Sequence, residues 1–250
     1  RRLACIALMR RTVRAARRVI AVSEATRRDL VRTLAADPAR IAAVHHGAEL
    51  RHGRSDPAPG ADPEEGRPYL LHVGTHAPHK DLETLLEGFS ILARSRRDLR
   101  LAIVGPEGRF TAALRRAAAR RAPEGTRIRI ECGADDDALA AWYAHARALV
   151  LPSRLEGFGF PVLEAFGYGT PVLAARTEAV EEVGAGAAAW FEPGDAAALA
   201  DLAGRLVDED PAGRAGRAAR GAARRTRFTW EEAARKTVAV YRAALGESES

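Results

Sequence analysis

The feature that most constrains the fold of this chain is a regular alternation of apolar runs and amphipathic segments that begins at Tyr69. The apolar runs read YLLHVG, LRLAIVG, TRIRIEC, ALVLPS, TPVLAA and AAAWFEP, and helical patterns separate them. Strands that lack polar–apolar alternation are typical of a parallel sheet covered on both faces. The pattern predicts an α/β fold with a doubly wound, Rossmann-like parallel sheet, closed by three helices. In such a sheet, ligands bind at the carboxyl ends of the strands.

The residues before Tyr69 divide into two parts. Residues 1–47 contain helical patterns and two short apolar runs, VIAVS and IAAVHHG. Residues 48–68 are rich in Pro, Gly and Asp and show no apolar period, which predicts a linker or a long surface loop. Two helices and two short strands would leave apolar residues such as Val19 and Ile20 uncovered. We therefore expect residues 1–47 to be the end of a larger domain, and the chain to be a fragment.

Composition narrows the classes of partner. The formal net charge is +6, and all but two of the 39 basic residues are arginine. This balance fits a nucleic acid, an acidic lipid or a phosphorylated small molecule, but the arginines are spread over every predicted helix. Nucleic-acid binding is not expected, because only 6% of the residues are aromatic and they do not interleave with arginine.

Two further features bear on location. Five arginines between Arg10 and Arg18 form the densest basic cluster, which leaves open a peripheral contact with a membrane, although no strong leucine or aromatic face lies opposite. The chain has two cysteines, Cys5 and Cys132, too few for a disulfide framework. They fit a reducing compartment, so a cytoplasmic location is expected.

The first candidate site follows the strand that ends at Gly74. The loop from Gly74 to Lys80 leads into the next predicted helix, and Lys80 is one of only two lysines in the chain. An ammonium group beside a helix N-terminus favours a bound phosphate. A solvated surface lysine is the ordinary alternative, but the rarity of lysine in this chain favours function. His79 is a second candidate donor in the same loop.

The second candidate site is the stretch PSRLEGFGFPVLEAFGYGTPV, residues 152–172. Gly157 and Gly159 let the backbone approach a ligand closely, and Pro161 suits the first turn of a helix. Glu156 would precede that helix and Glu164 would lie one turn inside it, so that both frame one pocket. A carboxylate that accepts from vicinal hydroxyls is a common way to hold a ribose. Either glutamate alone is more simply a surface charge, but the full pattern is more specific.

Other patterns are better explained without a ligand. The acidic run Asp135–Asp137 resembles a metal-binding sequence, but its place before a predicted helix favours capping. The GFG sequence lacks the third glycine of a dinucleotide fingerprint, because Val162 stands there. The histidines His45, His46 and His72 lack metal-ligand spacing. No metal site is predicted.

The glutamate-rich stretch resembles a known motif. EGFGFPVLE followed by GYGTPV resembles the paired-glutamate motif, E-x7-E, of the retaining glycosyltransferases of family 4 (glycosyl transferases group 1), which have the GT-B fold. The end of that family's N-terminal domain is similar to the stretch VIAVSEATRRDL. The family's donor phosphate loop is similar to HVGTHAPHKDLETLLEGF, and the sequence of this loop resembles the mannosyltransferase-like branch. DDDALAAWYAHARALVLPS, EAVEEVGAGAAAWFEPGD and FTWEEAARKTVAVYRAAL extend the resemblance over nearly the whole chain.

The resemblance implies a domain organisation and a role for each site residue. Residues 1–47 would end an N-terminal acceptor domain, a remnant of its Rossmann-like fold; 48–68 would be a linker, and 69–250 the C-terminal nucleotide-sugar-binding domain with its closing helices. The catalytic residues would be Glu156, on the transferred hexose, and Lys80, on the diphosphate. The substrate-binding residues would be Glu164, on the ribose hydroxyls, with Gly74, Thr75, His79, Gly157, Phe158 and Gly159.

One position departs from the family pattern. Many relatives carry arginine at the position of Thr75 or of His79, and this chain does not. His79 itself, or an arginine of a neighbouring loop such as Arg109, is the expected substitute for that charge.

The implied reaction is transfer of a hexosyl group, of which mannosyl is the first choice, from a nucleotide-diphosphate sugar to a hydroxyl acceptor with retention, in polysaccharide or glycoconjugate synthesis. The expected donor is GDP-mannose, with a UDP-sugar as the alternative, and the expected acceptor is a sugar or a lipid-linked sugar. No metal cofactor is expected. The competing hypothesis is a non-catalytic nucleotide-sugar-binding module or a subunit that depends on a partner. The expected place of action is the cytoplasm, with attachment at the inner membrane face left open.

Overall fold

The computed structural model describes residues 2–48, 62–121 and 128–246. The chain divides into two compact units, Arg1–Ala48 together with Arg227–Ser250, and Glu49–Thr226. Most of the predicted linker 48–68 falls on residues 49–61, which lie outside the described residues. The part that is described, from Asp62 onward, forms a turn in which the Asp62 carboxylate accepts from the Glu64 and Gly66 N–H groups at 3.0 and 2.7 Å.

The first unit contains three helices and a small parallel sheet among its described residues. The elements are α1 (Arg2–Ala15), β1 (Val19–Ala21), α2 (Glu24–Leu34), β2 (Ile41–Ala43) and α10 (Trp230–Leu245). The Ser23 hydroxyl caps α2, since it accepts from the Thr26 N–H at 3.0 Å. The buried residues Ala21, Ala36 and Ile41 form a small core between the helices and the two strands.

Helix α10 packs with residues 1–48, whereas the sequence analysis placed it with the C-terminal domain. The Ala48 N–H donates to the Phe228 carbonyl at 3.0 Å, and the Arg17 guanidinium donates to the Ala244 carbonyl at 3.1 Å. The His45 ring meets Phe228 edge to face, with 5.6 Å between centroids. Helical periodicity shows which face of α10 is apolar, but not which segment of the chain covers that face.

The second unit is built on a six-stranded parallel sheet in the order β5-β4-β3-β6-β7-β8. Its strands are β3 (Tyr69–Val73), β4 (Arg100–Val104), β5 (Ile128–Glu131), β6 (Ala148–Leu151), β7 (Val172–Ala175) and β8 (Ala189–Phe191). Its helices are α3 (Leu82–Leu92), α4 (Thr111–Arg121), α5 (Asp136–His145), α6 (Phe160–Gly167), α7 (Glu178–Gly184), α8 (Ala196–Val207) and α9 (Pro211–Arg225). The predicted α/β architecture is confirmed.

Both faces of this sheet are covered, which explains the unbroken apolar runs. Because side chains alternate along a strand, Leu70, Leu101, Val150 and Leu173 share one face. They pack into a single buried cluster whose helical members come from α3, α4 and α8: Leu85, Leu86, Phe89, Leu114, Leu199 and Leu206. Full burial of one such side chain contributes roughly 1.5–3 kcal/mol, so this cluster is a main source of the unit's stability.

Strands β3 and β6 lie side by side at the centre of the sheet, where the strand order reverses. The loops that leave their carboxyl ends therefore meet at the topological switch point, the usual ligand site of a doubly wound sheet. The neighbouring end of β4 is equally close, because a Cβ on Gly105 would lie 1.9 Å from the Gly74 carbonyl oxygen. Only glycine fits there.

Candidate active site

Lys80 and Glu156 meet where the loops after β3 and β6 converge. The Lys80 Nζ donates to Glu156 Oε1 at 2.6 Å, and each side chain is only 11% exposed. The two residues are far apart in the sequence, so the contact depends on the adjacency of the two strands. A largely buried ammonium–carboxylate pair of this kind interacts more strongly than a surface pair, since water screens it less.

A second ion pair and a backbone bond hold the same two loops together. The Arg154 N–H donates to the His79 carbonyl at 2.9 Å, and the Arg154 Nε lies 2.8 Å from Asp81 Oδ2. Lys80 ends a short 3-10 turn, Pro78–Lys80, and Asp81 adopts a left-handed conformation (φ 49°) immediately before α3. Asp is one of the residues that tolerate this conformation, so the chain can turn sharply into α3 directly after Lys80.

Helix α6 begins at Phe160, as the sequence predicts. Its N-cap is Gly159 at φ +123°, a backbone conformation that favours glycine. Two positions of the first turn of α6 offer no free N–H group to the loop. Pro161 has no N–H, and the Val162 N–H donates to the Gly159 carbonyl at 3.0 Å. Within the first turn of α6, the positive end of the helix dipole remains as a source of partial positive charge.

Glu164 lies one turn inside α6 and has a hydrogen-bond partner on α5. The Tyr143 hydroxyl donates to Glu164 Oε2 at 2.6 Å. Tyr143 itself is buried, and its ring stacks on that of Tyr168 with 5.6 Å between centroids. The sequence analysis did not identify Tyr143, because no local pattern connects α5 to α6.

Two buried histidines lie at the carboxyl end of β3: His72 belongs to the strand, and His76 to the loop that follows it. The Nδ1 of His72 lies 3.0 Å from the Val150 carbonyl, and His76 Nδ1 lies 2.7 Å from Thr111 Oγ1. Desolvation lowers the pKa of His72 to about 4, the nearby Lys80 charge adds to the effect, and only the bond to the Val150 carbonyl opposes it. Burial also lowers the pKa of His76. Both imidazoles are therefore neutral near pH 7.

The histidine beneath Lys80 presents an acceptor to the site. A neutral imidazole that contacts a carbonyl through Nδ1 carries its proton there, so His72 Nε2 holds a lone pair. This atom is buried and has no hydrogen-bond partner within the described residues. A Cβ placed on Gly74 would lie 3.4 Å from His72 Nε2 and 3.7 Å from Lys80 Nζ, so both groups adjoin one point beside Gly74.

Comparison with known proteins assigns the chain to a family. Residues 67–209 match the family described as "Glycosyl transferases group 1", and residues 1–52 match "Glycosyltransferase Family 4". The chain belongs to the glycosyl transferases group 1 family. The family resemblance on the E-x7-E motif is thereby confirmed.

Relatives whose names state an activity match most of this chain. It is 36% identical to the D-inositol 3-phosphate glycosyltransferase of Streptomyces scabiei, over 93% of this chain and 55% of the relative. It is 32% identical to the O-antigen chain mannosyltransferase B of Escherichia coli, over 70% of this chain and 45% of the relative. The chain thus spans about half the length of the curated relatives it matches.

The fold is also that of solved glycosyltransferase structures. The structure of HepE from Anabaena in complex with UDP and glucose superposes with a TM-score of 0.79 at 16% identity. The match covers 91% of this chain and 63% of that one. At this identity the comparison concerns the fold alone, which is the predicted GT-B architecture.

The remaining residues that the family pattern marks lie in the two loops that carry Lys80 and Glu156. Gly74 adjoins Lys80. Phe158 is buried and packs edge to face on Phe160, with 5.2 Å between ring centroids. Thr75, His79 and Gly157 are exposed residues, and His79 joins the second loop through its carbonyl.

Two arginines lie in loops that leave the carboxyl end of the sheet. Arg109, the sequence-based substitute for the missing charge, lies with its Cζ 4.5 Å from the centre of the Phe110 ring. Arg154, which the sequence analysis did not consider, belongs to the Glu156 loop and pairs with Asp81. The sequence signal that could have identified Arg154 is its position, two residues before the first glutamate of the motif.

Two further features concern metals and membranes. Within the described residues, no group of three His, Cys, Asp or Glu side chains is arranged to hold a metal ion. Asp135 caps α5 as predicted, because its carboxylate accepts from the Ala138 N–H at 2.8 Å. Among the helices that the structure describes, none is long and apolar enough to cross a membrane.

Proposed function

We propose that the second unit binds a nucleotide-diphosphate sugar at the Lys80–Glu156 pair, and that the protein transfers the hexosyl group of this donor with retention. The observation that carries the proposal is the contact of Lys80 with Glu156 at the switch point of the sheet. In the family, lysine and the first motif glutamate serve the diphosphate and the hexose. Their contact in this chain would bring both ends of the scissile bond to one place.

The chemistry of the bond that breaks fits this arrangement. When a sugar leaves a nucleotide diphosphate, negative charge grows on the departing phosphate. Lys80 and the positive end of α6 would stabilise this charge more in the transition state than in the ground state. The site has low exposure, so little reorganisation of water would be needed as the charge develops. Glu156 would contact the hexose, and Glu164 the ribose hydroxyls.

The finer assignments rest on relatives. A mannosyl group and GDP-mannose are our first choice, supported by the likeness of the phosphate loop to mannosyltransferases and by the relative named O-antigen chain mannosyltransferase B. A UDP-sugar is the alternative, supported by the fold match to a structure that holds UDP and glucose. The acceptor would be a sugar or a lipid-linked sugar in polysaccharide or glycoconjugate synthesis.

The proposal includes metal-independent catalysis in the cytoplasm. Lys80 and the α6 dipole would neutralise the diphosphate in place of a divalent cation. Two free cysteines are compatible with a reducing compartment. The exposed basic residues of α1 support peripheral attachment to the inner membrane face by attraction to acidic lipids.

The experiment is a thermal-shift and calorimetric screen with GDP, UDP, GDP-mannose and UDP-glucose. A ligand that binds the folded chain raises its melting temperature, so the donor should give the largest shift. Retention is tested by the anomeric proton of the first product in an NMR time course. Binding of neither nucleotide would refute the proposed donor site. A donor that binds but is neither transferred nor hydrolysed would favour the alternative, a binding module or a subunit that needs a partner.

A further inference from the structure

The hydrogen bond between Tyr143 and Glu164 lies outside the paired-glutamate motif. Tyr143 belongs to α5, and its hydroxyl donates to Glu164 Oε2 at 2.6 Å. The tyrosine is 1% exposed, whereas Glu164 is half-buried. The donor is therefore part of the protein interior, whereas the acceptor is partly accessible from outside.

The position of the Tyr143 hydroxyl is fixed by several neighbours. The Thr170 hydroxyl donates to the Tyr143 carbonyl at 2.6 Å, and the Tyr143 ring lies parallel to that of Tyr168, at an interplanar angle of 7°. One residue earlier, the Trp142 carbonyl accepts from the Tyr69 hydroxyl at 2.7 Å. The end of α5 is thus tied both to the loop after α6 and to β3, and Tyr143 has little freedom to move.

A fixed donor constrains the glutamate that it binds. A glutamate side chain has several rotatable bonds, and ordering it on ligand binding costs conformational entropy. A hydrogen bond to one carboxylate oxygen selects one rotamer and one carboxylate plane before the ligand arrives. A carboxylate offers about four lone-pair sites, so a bond at Oε2 is compatible with two further bonds from a vicinal diol.

We propose that Tyr143 is a positioning residue, which orients the Glu164 carboxylate to accept hydrogen bonds from the two ribose hydroxyls of the donor. This inference rests on the proposed function, because it concerns the ribose subsite of the same donor. It adds a residue that the motif does not contain, and it assigns to the end of α5 a role in nucleotide selectivity.

The test compares two nucleotides on two tyrosine variants of the whole chain. The ligands are UDP or GDP, whichever the unaltered chain binds more tightly, and its 2′,3′-dideoxy analogue, which lacks both hydroxyls. Tyr143→Phe keeps the ring and its stacking on Tyr168 but removes the donor to Glu164. Tyr69→Phe is the matched control, since it removes an equally buried hydroxyl bonded to the end of α5 that has no contact with Glu164.

The expected result is a selective loss. Tyr143→Phe should weaken binding of the ribonucleotide by roughly 5–10-fold, which is less than the loss of a hydrogen bond to a charged group because Glu164 itself remains, and should leave the dideoxy analogue within about 2-fold. The ratio of the two affinities should be unchanged in Tyr69→Phe. Calorimetry measures all affinities, and melting temperatures show that both variants fold.

Other outcomes would overturn the inference. If the unaltered chain prefers the ribonucleotide and Tyr143→Phe keeps the same preference, then Tyr143 does not position Glu164. An equal loss for both ligands would indicate a structural role only. If Tyr143→Phe does not fold, the second variant is Thr170→Val, which removes the hydrogen bond to the Tyr143 carbonyl. An unchanged ratio of the affinities for the ribonucleotide and the dideoxy analogue in that variant refutes the proposal. If the unaltered chain binds neither nucleotide, the proposed function itself fails, and the inference with it.

Discussion

At the scale of single residues, Lys80 provides the most direct test of the site. Replacing Lys80 with Ala should weaken binding of a nucleotide diphosphate by about 1.5–3 kcal/mol, the contribution of a charged hydrogen bond. Titration calorimetry at moderate salt measures the loss. The control is Lys236→Ala, which removes the chain's other lysine, part of an exposed pair with Glu232 at 3.3 Å. Equal affinities for the unaltered chain and Lys80→Ala would remove Lys80 from the site.

Glu156 should affect nucleotide binding and transfer in opposite directions. It competes with the diphosphate for the Lys80 ammonium, because the pair is already formed at 2.6 Å. Glu156→Gln keeps the shape of the side chain and removes the competing charge. Affinity for the free nucleotide diphosphate should therefore rise by about 1 kcal/mol, the contribution of one modest ion pair, while the rate of hexosyl transfer falls.

The control for this change is Glu209→Gln. Glu209 forms another shielded ion pair in the same unit, with Arg217 at 2.6 Å. Nucleotide affinity should not change there. A clear fall in nucleotide affinity for Glu156→Gln would show that Glu156 contacts the nucleotide rather than restraining Lys80.

His72 should make the stability of the fold depend on pH. The folded chain keeps this imidazole neutral, with a pKa of about 4, while the unfolded chain takes up a proton near pH 6.5. The unfolded state therefore binds more protons between these values, and stability falls as the pH drops below about 6.5. From pH 7.5 to 5.5, His72 should account for about 1 kcal/mol of lost stability.

Urea denaturation of the unaltered chain and of His72→Gln at both pH values measures this contribution. The variant should lose less stability than the unaltered chain over the same interval, because glutamine does not titrate. His76 is also held neutral by burial and remains in both proteins, so its contribution cancels in the comparison. Identical losses in the two proteins would show that His72 is not held neutral by the fold.

At the scale of elements, the turn into α6 depends on Gly159. A Cβ there would have room, since the nearest atom is Val183 Cβ at 3.8 Å, but φ +123° is strained for any side chain. Gly159→Ala should cost about 1–3 kcal/mol of stability and also weaken nucleotide binding, because the Glu156 loop and the start of α6 would shift. Denaturation and calorimetry measure the two effects.

Gly66→Ala is the control that separates the effect of backbone strain on stability from an effect on nucleotide binding. Gly66 also has a positive φ (+81°) and open space around its Cβ position, but it lies in the turn before β3, at the amino end of the sheet. This variant should lose stability and keep its nucleotide affinity. If Gly159→Ala behaves in the same way, the start of α6 does not shape the donor site.

At the scale of the whole molecule, donor binding should not need a metal. At a ligand concentration of about 100 times Kd, a bound nucleotide stabilises the fold by about 2.7 kcal/mol, which raises the melting temperature by several degrees. This rise should be the same in EDTA as in magnesium or manganese, because Lys80 and the α6 dipole carry the charge. A rise that appears only with added metal would refute metal independence.

The alternation of apolar runs and helical patterns was enough to predict the strands of the sheet and most of its helices, although α7, between β7 and β8, was not predicted. Strands β3 to β8 coincide with the apolar runs, because a strand that is buried on both faces has apolar residues at successive positions. Local features were equally clear. Ser23 and Asp135 cap α2 and α5, and α6 begins at Phe160, since caps and glycine turns depend on residues only a few positions apart.

The sequence by itself thus determined the fold class, the family and the two loops of the candidate site. Only the tertiary structure decided which groups meet: Lys80 with Glu156, Arg154 with Asp81, Tyr143 with Glu164, and α10 with residues 1–48. Local periodicity reports how deeply a face is buried, whereas these contacts join segments distant in the chain. Their partners are selected by strand order and by the packing of helices, which form only when the whole chain is compact.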